Sequence, residues 1–203
     1  MKIAVIGATG RVGSRVVTEA LSRGHFVTAI ARNSNTITPQ THLVAVYADA
    51  GNVVELAGAI AGNDAVVSAL RFVDSDPTRI VDALKRAGIQ RYVVVGGAGS
   101  LEVAPGKQLV DEPNFPAEYR AESLKARDFL NVLRGEDRLD WTYLSPSAEF
   151  APGLRTGKFR LGHDQLLVDA DGKSSVSMED FAITVVDELE TPAHIRQRFT
   201  AGY

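Results

Sequence analysis

Cysteine is absent from this 203-residue chain. That excludes disulfides, thiolate metal sites and a cysteine nucleophile together. A dominant charge of one sign is lacking too. Against 22 Lys and Arg stand 25 Asp and Glu, a net charge of -3, which leaves no field suited to nucleic acid or an anionic membrane surface. No apolar run approaches the roughly 20 residues that span a bilayer. The opening run Met1-Lys2-Ile3-Ala4-Val5-Ile6 is cut by Gly7 and is too short for a signal-peptide core. The expectation is a cytoplasmic protein, monomer or homodimer, that works on a small molecule and has neither membrane nor nucleic-acid partner. Internal repeats, low-complexity tracts and flexible linkers are also missing. With 45% hydrophobic and 23% charged residues, the composition is that of an ordinary soluble globular chain, and its length suits a single domain spanning residues 1–203.

What is present is a regular alternation. Short apolar runs rich in β-branched residues occur at Ile3–Ile6, Phe26–Ala31, Leu43–Ala48, Ala65–Leu70, Tyr92–Val95 and Trp141–Leu144. Such runs suit strands buried on both faces of a parallel sheet. Amphipathic stretches lie between most of them: Arg11–Arg23, Val53–Ala61, Pro77–Ala87 and Pro116–Arg134. Gly24, Gly62 and Gly88 follow three of these where a left-handed cap is wanted. Strand–helix alternation from the first residue predicts βαβ units in an α/β, doubly wound parallel sheet. After Pro146 the pattern loosens. Leu166–Val176 reads as a hairpin turning at Asp171-Gly172, Met178–Glu190 as a last helix capped by Ser177, and Arg198–Ala201 as one more strand. This portion is expected to form a small C-terminal cap beside the sheet's C-terminal edge, not a separate domain.

Gly7-Ala8-Thr9-Gly10-Arg11-Val12-Gly13 joins the first strand to the first helix. Gly7 permits a tight turn, Gly10 lets backbone approach a pyrophosphate, and Gly13 lets helix and strand pack closely. The helix N-terminus adds free N–H groups and a positive dipole. This is the dinucleotide-binding arrangement of the Rossmann fold. An NAD site usually carries an acid about 20 residues after the turn, on the ribose hydroxyls. Here the second strand ends Ile30-Ala31-Arg32-Asn33, with no carboxylate. Arg32, helped by Arg11, suits a 2′-phosphate, so NADP(H) is the expected cofactor.

The glycine turn resembles that of the atypical, extended-type short-chain dehydrogenase/reductase superfamily. More specifically, the chain resembles its NmrA-like NAD(P)-binding branch and the small NAD(P)H-flavin reductases there. The resemblance runs through Val94–Ser100, Leu139–Pro146, Arg155–Arg160, Ser177–Ala182 and Ile195–Thr200, and so covers essentially the whole chain. It implies that Asp49, beside Ala50 at the end of the third strand, contacts the adenine amino group. It implies that the backbone of Ser68, Ala69 and Leu70 lies along the cofactor, and that Gly96–Gly99, Gly97 among them, end the fifth strand near the nicotinamide. With Gly7, Thr9, Gly10, Arg11, Val12, Gly13, Arg32 and Asn33 these make up the expected cofactor site.

The chain departs from the superfamily at its catalytic Tyr-x-x-x-Lys, where lysine one turn along lowers the tyrosine pKa. The relevant helix reads Tyr119-Arg120-Ala121-Glu122-Ser123-Leu124-Lys125, a spacing of six that puts the pair on different faces. That disfavours a sugar-nucleotide epimerase or dehydratase and fits hydride transfer to a planar acceptor such as flavin (FMN or FAD as substrate) or quinone. A non-catalytic, redox-sensing NADP(H)-binding regulator is the rival. Tyr119 and Ser100 are the candidate catalytic residues, Ser100 as a hydrogen-bond donor to acceptor. Phe72, Phe150 and Phe159 are more simply core residues than a stacking surface, and Arg155 and Lys158 are equally solvated charges or flavin-phosphate ligands. The four histidines, His25, His42, His163 and His194, lack metal-ligand spacing, and Asp169-Ala170-Asp171-Gly172 lacks the later ligands of a calcium loop.

Overall fold

The computed structural model describes residues 1–203. In chain order the elements are β1 (Lys2–Ile6), α1 (Gly13–Ser22), β2 (Phe26–Ala31), β3 (Leu43–Tyr47), α2 (Val53–Ile60), β4 (Ala65–Ser68), α3 (Pro77–Arg86) and β5 (Arg91–Val95). They continue with β6 (Glu102–Ala104), β7 (Lys107–Gln108), α4 (Ala117–Arg134), β8 (Asp140–Ser145), β9 (Glu149–Ala151), β10 (Arg160–Gly162), β11 (Ser175–Ser177), α5 (Met178–Glu190) and β12 (Gln197–Gly202). Eight strands form one sheet in the order β10-β12-β8-β5-β4-β1-β2-β3. All its pairings are parallel except that of β10 with β12.

The two-residue period of a strand divides the core. In β1, Ile3 and Val5 face α1 and α5, packing with Val16, Val17, Phe181 and Val185. Ala4 and Ile6 face the other way, toward Leu56 of α2, Ile80 and Leu84 of α3, and Phe129 and Leu130 of α4. The sheet is therefore buried on both sides, as its continuous apolar strands predict. The strand order reverses between β1 and β4, and a crevice opens there beyond the strands' C-terminal ends. Gly24, Gly62 and Gly88 all have φ between 72° and 78°, the left-handed caps expected after α1, α2 and α3.

Tertiary context changes some local expectations. The run Leu43–Ala48 is an edge strand ending at Tyr47, with Val44 and Tyr47 exposed. The β2–β3 connection holds only the 3-10 turn Ser34–Thr36, so no helix covers that edge. Leu166–Val176 is not a hairpin. The turn is present, with the Asp169 carboxylate accepting the Asp171 and Lys173 N–H groups at 2.9 and 2.8 Å. Its flanks pair elsewhere: Gln165 bridges Glu102, and β11 lies parallel to β9. That β9–β11 pair and its loops make up the cap, while α5 and β12 return to the main layers. Ser177 caps α5 by accepting the Asp180 N–H at 3.0 Å. No helix is long and apolar enough to cross a membrane.

Candidate functional site

The glycine turn sits at the strand-order reversal. Gly7 (φ 81°) and Ala8 both donate their N–H groups to Ile30 O of β2, at 2.9 and 3.1 Å, and the Gly10 N–H closes the turn on Gly7 O at 2.9 Å. α1 begins at Gly13, two residues later than its periodicity predicts, and its first bond is Ser14 N–H to Gly10 O at 3.0 Å. The N–H groups of Arg11, Val12 and Gly13 find no acceptor within the chain. Three open amides at a helix N-terminus are what a phosphate requires.

Space matches the hydrogen bonding. A Cβ on Gly13 would lie 2.1 Å from Gly7 O, and one on Gly7 would lie 2.6 Å from Ala69 O. Gly10 instead faces a cavity of about 220 Å³. Its wall brings together Gly7, Thr9, Gly10, Arg32, Asn33, Asp49, Ala50, Ala69 and Leu70, nine of the expected cofactor residues, with Arg71 and Asp74. Asp49 uses one carboxylate oxygen to accept the Gly51 N–H at 2.8 Å, and the Glu55 carboxylate accepts the Asp49 N–H at 3.1 Å. Arg71 and Asp74, 3.7 Å apart, were not expected from sequence. Their signal was available, since Arg71 follows Leu70 directly and Asp74 lies three residues further, in the segment just after β4.

The other expected cofactor residues lie off this wall. Val12 and Gly13 pack α1 onto the strand. Ser68 has its side chain in the core. Strand periodicity turns it toward the α2–α4 layer, where its hydroxyl hydrogen-bonds Tyr92 Oη at 2.7 Å. Gly97 gives its N–H to Tyr143 Oη at 3.2 Å. That hydroxyl donates to Ala126 O at 3.0 Å, and burial pushes its pKa up, so it stays protonated. Arg11 belongs to a second, larger cavity.

That cavity encloses about 690 Å³ between the start of α4 and the β9 segment. It is lined by Arg11, Ala98, Gly99, Phe115, Tyr119, Glu122, Ser123 and Phe150, among others. Gly10 lines one cavity and Arg11, the next residue, lines the other, so the glycine turn borders both. Tyr119 is 61% exposed at its rim; its backbone N–H donates to Pro116 O at 3.2 Å, and its hydroxyl has no hydrogen-bond partner in the chain. The residue one turn along is Ser123, and a Cβ on Gly99 would come within 2.5 Å of the Ser123 Cβ. The superfamily's lysine position is thus occupied by a small residue packed on the β5 loop, while Lys125 is exposed elsewhere.

Ser100 is corrected as a catalytic candidate. It is 2% exposed and does not line the cavity, because Arg198 of β12 reaches under the loop and donates to Ser100 Oγ and Ser100 O, both at 3.3 Å, and to Asp164 at 2.7 Å. The phenylalanines divide. Phe72 is core against Phe129, and Phe159 borders a different hollow, near His194. Phe150 rests on Phe181 with ring centroids 4.8 Å apart and presents to the second cavity. Arg155 is held by the Glu19 carboxylate through two bonds of 2.9 Å, away from both cavities.

A family model described as NAD(P)H-binding matches residues 7–192. The chain belongs to the NAD(P)H-binding family. Three solved structures resemble it along its length. One is a Burkholderia pseudomallei protein provisionally described as exported: 47% identical, TM-score 0.90, all of both chains covered. Another is a provisionally named epimerase of Bacteroides thetaiotaomicron: 42% identical, TM-score 0.95, covering all of this chain and 96% of that one. The third is a provisionally named NADH-flavin reductase of Streptococcus pneumoniae: 33% identical, TM-score 0.85, covering 100% and 99%. The fold is therefore that of an NAD(P)H-binding oxidoreductase-like protein. The open amides and the side-chain-free cradle at Gly10 fit a dinucleotide pyrophosphate.

Proposed function

We propose that this member of the NAD(P)H-binding family is an NADPH-dependent reductase that passes hydride to a planar acceptor, a flavin or a quinone, seated in the second cavity. The observation that carries the reading is that adjacent residues of the glycine turn, Gly10 and Arg11, line the two cavities, so that one turn borders both. The amides of Arg11, Val12 and Gly13 hold the pyrophosphate, Asp49 the adenine end, and Arg32 the 2′-phosphate. Bound NADPH supplies the hydride. The chain positions the two rings: Phe150 offers an aromatic face, Phe115 and Tyr119 close the rim, and the open cleft admits water as proton source. Such a reductase works on small molecules as a monomer or homodimer, in the cytoplasm.

The relative described as an epimerase raises that chemistry directly, but Tyr119 with Ser123 one turn along lacks the cationic neighbour that would activate it. A redox-sensing regulator would share the dinucleotide pocket. The test is steady-state NADPH oxidation with FMN and with a small quinone. Turnover with either supports the reductase, while tight NADPH binding with no turnover leaves the regulator.

Arg32 is exposed beside the pocket and pairs with no carboxylate. NADPH should therefore bind more tightly than NADH, and Arg32→Ala should reduce that preference by about several-fold to a hundredfold, since bonds to charged groups are worth about 1.5–3 kcal/mol. Equal dissociation constants for the two cofactors in the wild type would remove the NADP assignment. Tyr119→Phe should change flavin turnover by less than about threefold, because a general acid in use contributes about 10²–10⁴. A hundredfold loss with NADPH affinity intact would make Tyr119 the proton donor.

A further inference from the structure

The 3-10 turn Phe72–Asp74 follows β4, and Arg71 just before it and Asp74 at its end form part of the dinucleotide-pocket wall. The N–H groups that open such a turn need an acceptor. None is supplied locally, since Arg71 provides no side-chain cap. The acceptor comes from the far side of the site. Glu122, near the start of α4, receives the Phe72 N–H on Oε1 at 2.7 Å and the Val73 N–H on Oε2 at 3.0 Å. The same side chain lines the second cavity.

The geometry points to Glu122 as a positioning residue that couples the two subsites, fixing the wall of the dinucleotide pocket from the helix that borders the acceptor. This rests on reading the first cavity as the NADPH site. Two anchors hold the turn. The Phe72 ring packs into the core against Phe129 and Tyr143, with centroids 5.3 and 6.2 Å apart. The Glu122 carboxylate holds the backbone. At the root of the turn, Ala69 O abuts Gly7, leaving no room for a side chain there, so displacement of the β4 end reaches the glycine turn by direct contact. A loosened wall must be reordered when the dinucleotide binds, and that ordering is taken from affinity. The carboxylate that holds the dinucleotide wall thus belongs to a side chain that lines the second cavity, and an acceptor that displaces it would, by linkage, alter dinucleotide affinity.

The test uses the full chain and two variants, Glu122→Ala and Glu122→Gln. It follows thermal unfolding, the NADPH dissociation constant by fluorescence, and amide exchange at Phe72 and Val73. Glu122→Ala should raise the NADPH dissociation constant roughly tenfold, and Glu122→Gln, which keeps one acceptor oxygen, roughly threefold, on the scale of bonds to a charged acceptor. NADPH should slow exchange at both amides in the wild type and fail to do so in Glu122→Ala. A folded variant whose affinity stays within about twofold of wild type overturns the proposal even if its melting temperature falls, because Glu122 is then structural only. If Glu122→Ala does not fold, the Gln variant and wild-type exchange decide, and amides indifferent to NADPH overturn it. A wild type that binds no NADPH overturns the dinucleotide reading and this inference with it. A binding wild type with insensitive variants overturns this inference alone.

Discussion

Gly10→Val is expected to abolish NADPH binding while leaving the chain folded. A Cβ at position 10 would stand 3.1 Å from Gly7 O and 3.7 Å from Ala69 O, close but tolerable with small shifts. The valine methyls would then extend into the first cavity, which Gly10 helps to line beside the open amides of the α1 N-terminus. That is the place a pyrophosphate must occupy to reach those amides. The loss is one of occupied volume, so it should not be recoverable by raising the cofactor concentration within a practical range. Calorimetric titration with NADPH, beside a circular-dichroism spectrum and a melting curve, checks both halves of the expectation. A folded Gly10→Val chain that keeps near-wild-type affinity would put the phosphates somewhere else in the crevice.

Gly13→Ala should give the largest loss of stability among single-methyl additions to the turn. The new Cβ would lie 2.1 Å from Gly7 O and 2.8 Å from Gly7 C, both backbone atoms. They cannot retreat cheaply. The Gly7 and Ala8 N–H groups are bonded to Ile30 O, and the other side of Gly7 is closed by Ala69 O. Relief requires α1 to move off β1, and α1 buries Val16, Val17 and Ala20 in the layer it shares with α5. Overpacking in a well-packed interior costs about 1–3 kcal/mol and occasionally more, and backbone contacts on both sides put this case at the upper end. For a chain of this length each kcal/mol lowers the melting temperature by about 2–4 °C, so a fall of roughly 6–12 °C is expected, with NADPH affinity reduced as the helix N-terminus shifts. A melting temperature within about 2 °C of wild type would mean that helix and strand are less tightly apposed than the structure shows.

The contrast between these glycines shows what could be read in advance. The strand–glycine-turn–helix succession is local, and the chemical demands on Gly7, Gly10 and Gly13 follow from spacing alone. So do the buried parallel strands, whose apolar runs have no polar face, the caps at Gly24, Gly62, Gly88 and Ser177, and the absence of an acid after β2 that leaves Arg32 facing the pocket. Each depends on residues within a few positions of one another, where backbone geometry and periodicity decide the outcome.

Contacts between distant segments decided the rest. Ser68 and Ser100 look equivalent to other small polar residues at strand ends. Ser68, turned inward by its strand's two-residue period, meets the buried hydroxyl of Tyr92 from the neighbouring strand, and Ser100 is covered because Arg198, on the last strand, reaches beneath its loop. The turn at Asp171-Gly172 forms as its residues dictate, yet its flanks are claimed by β9 and Glu102, which offer backbone partners that the local hairpin does not outcompete. Glu122 is an unremarked helix residue until folding brings it to two amides some fifty positions earlier. The sequence alone determined the α/β alternation and the chemistry of the dinucleotide turn, because both are written in short-range spacing. Only the tertiary structure decided which side chains face the two cavities and which are spent holding the walls, because a polar group takes whichever partner the packed chain places within hydrogen-bonding distance.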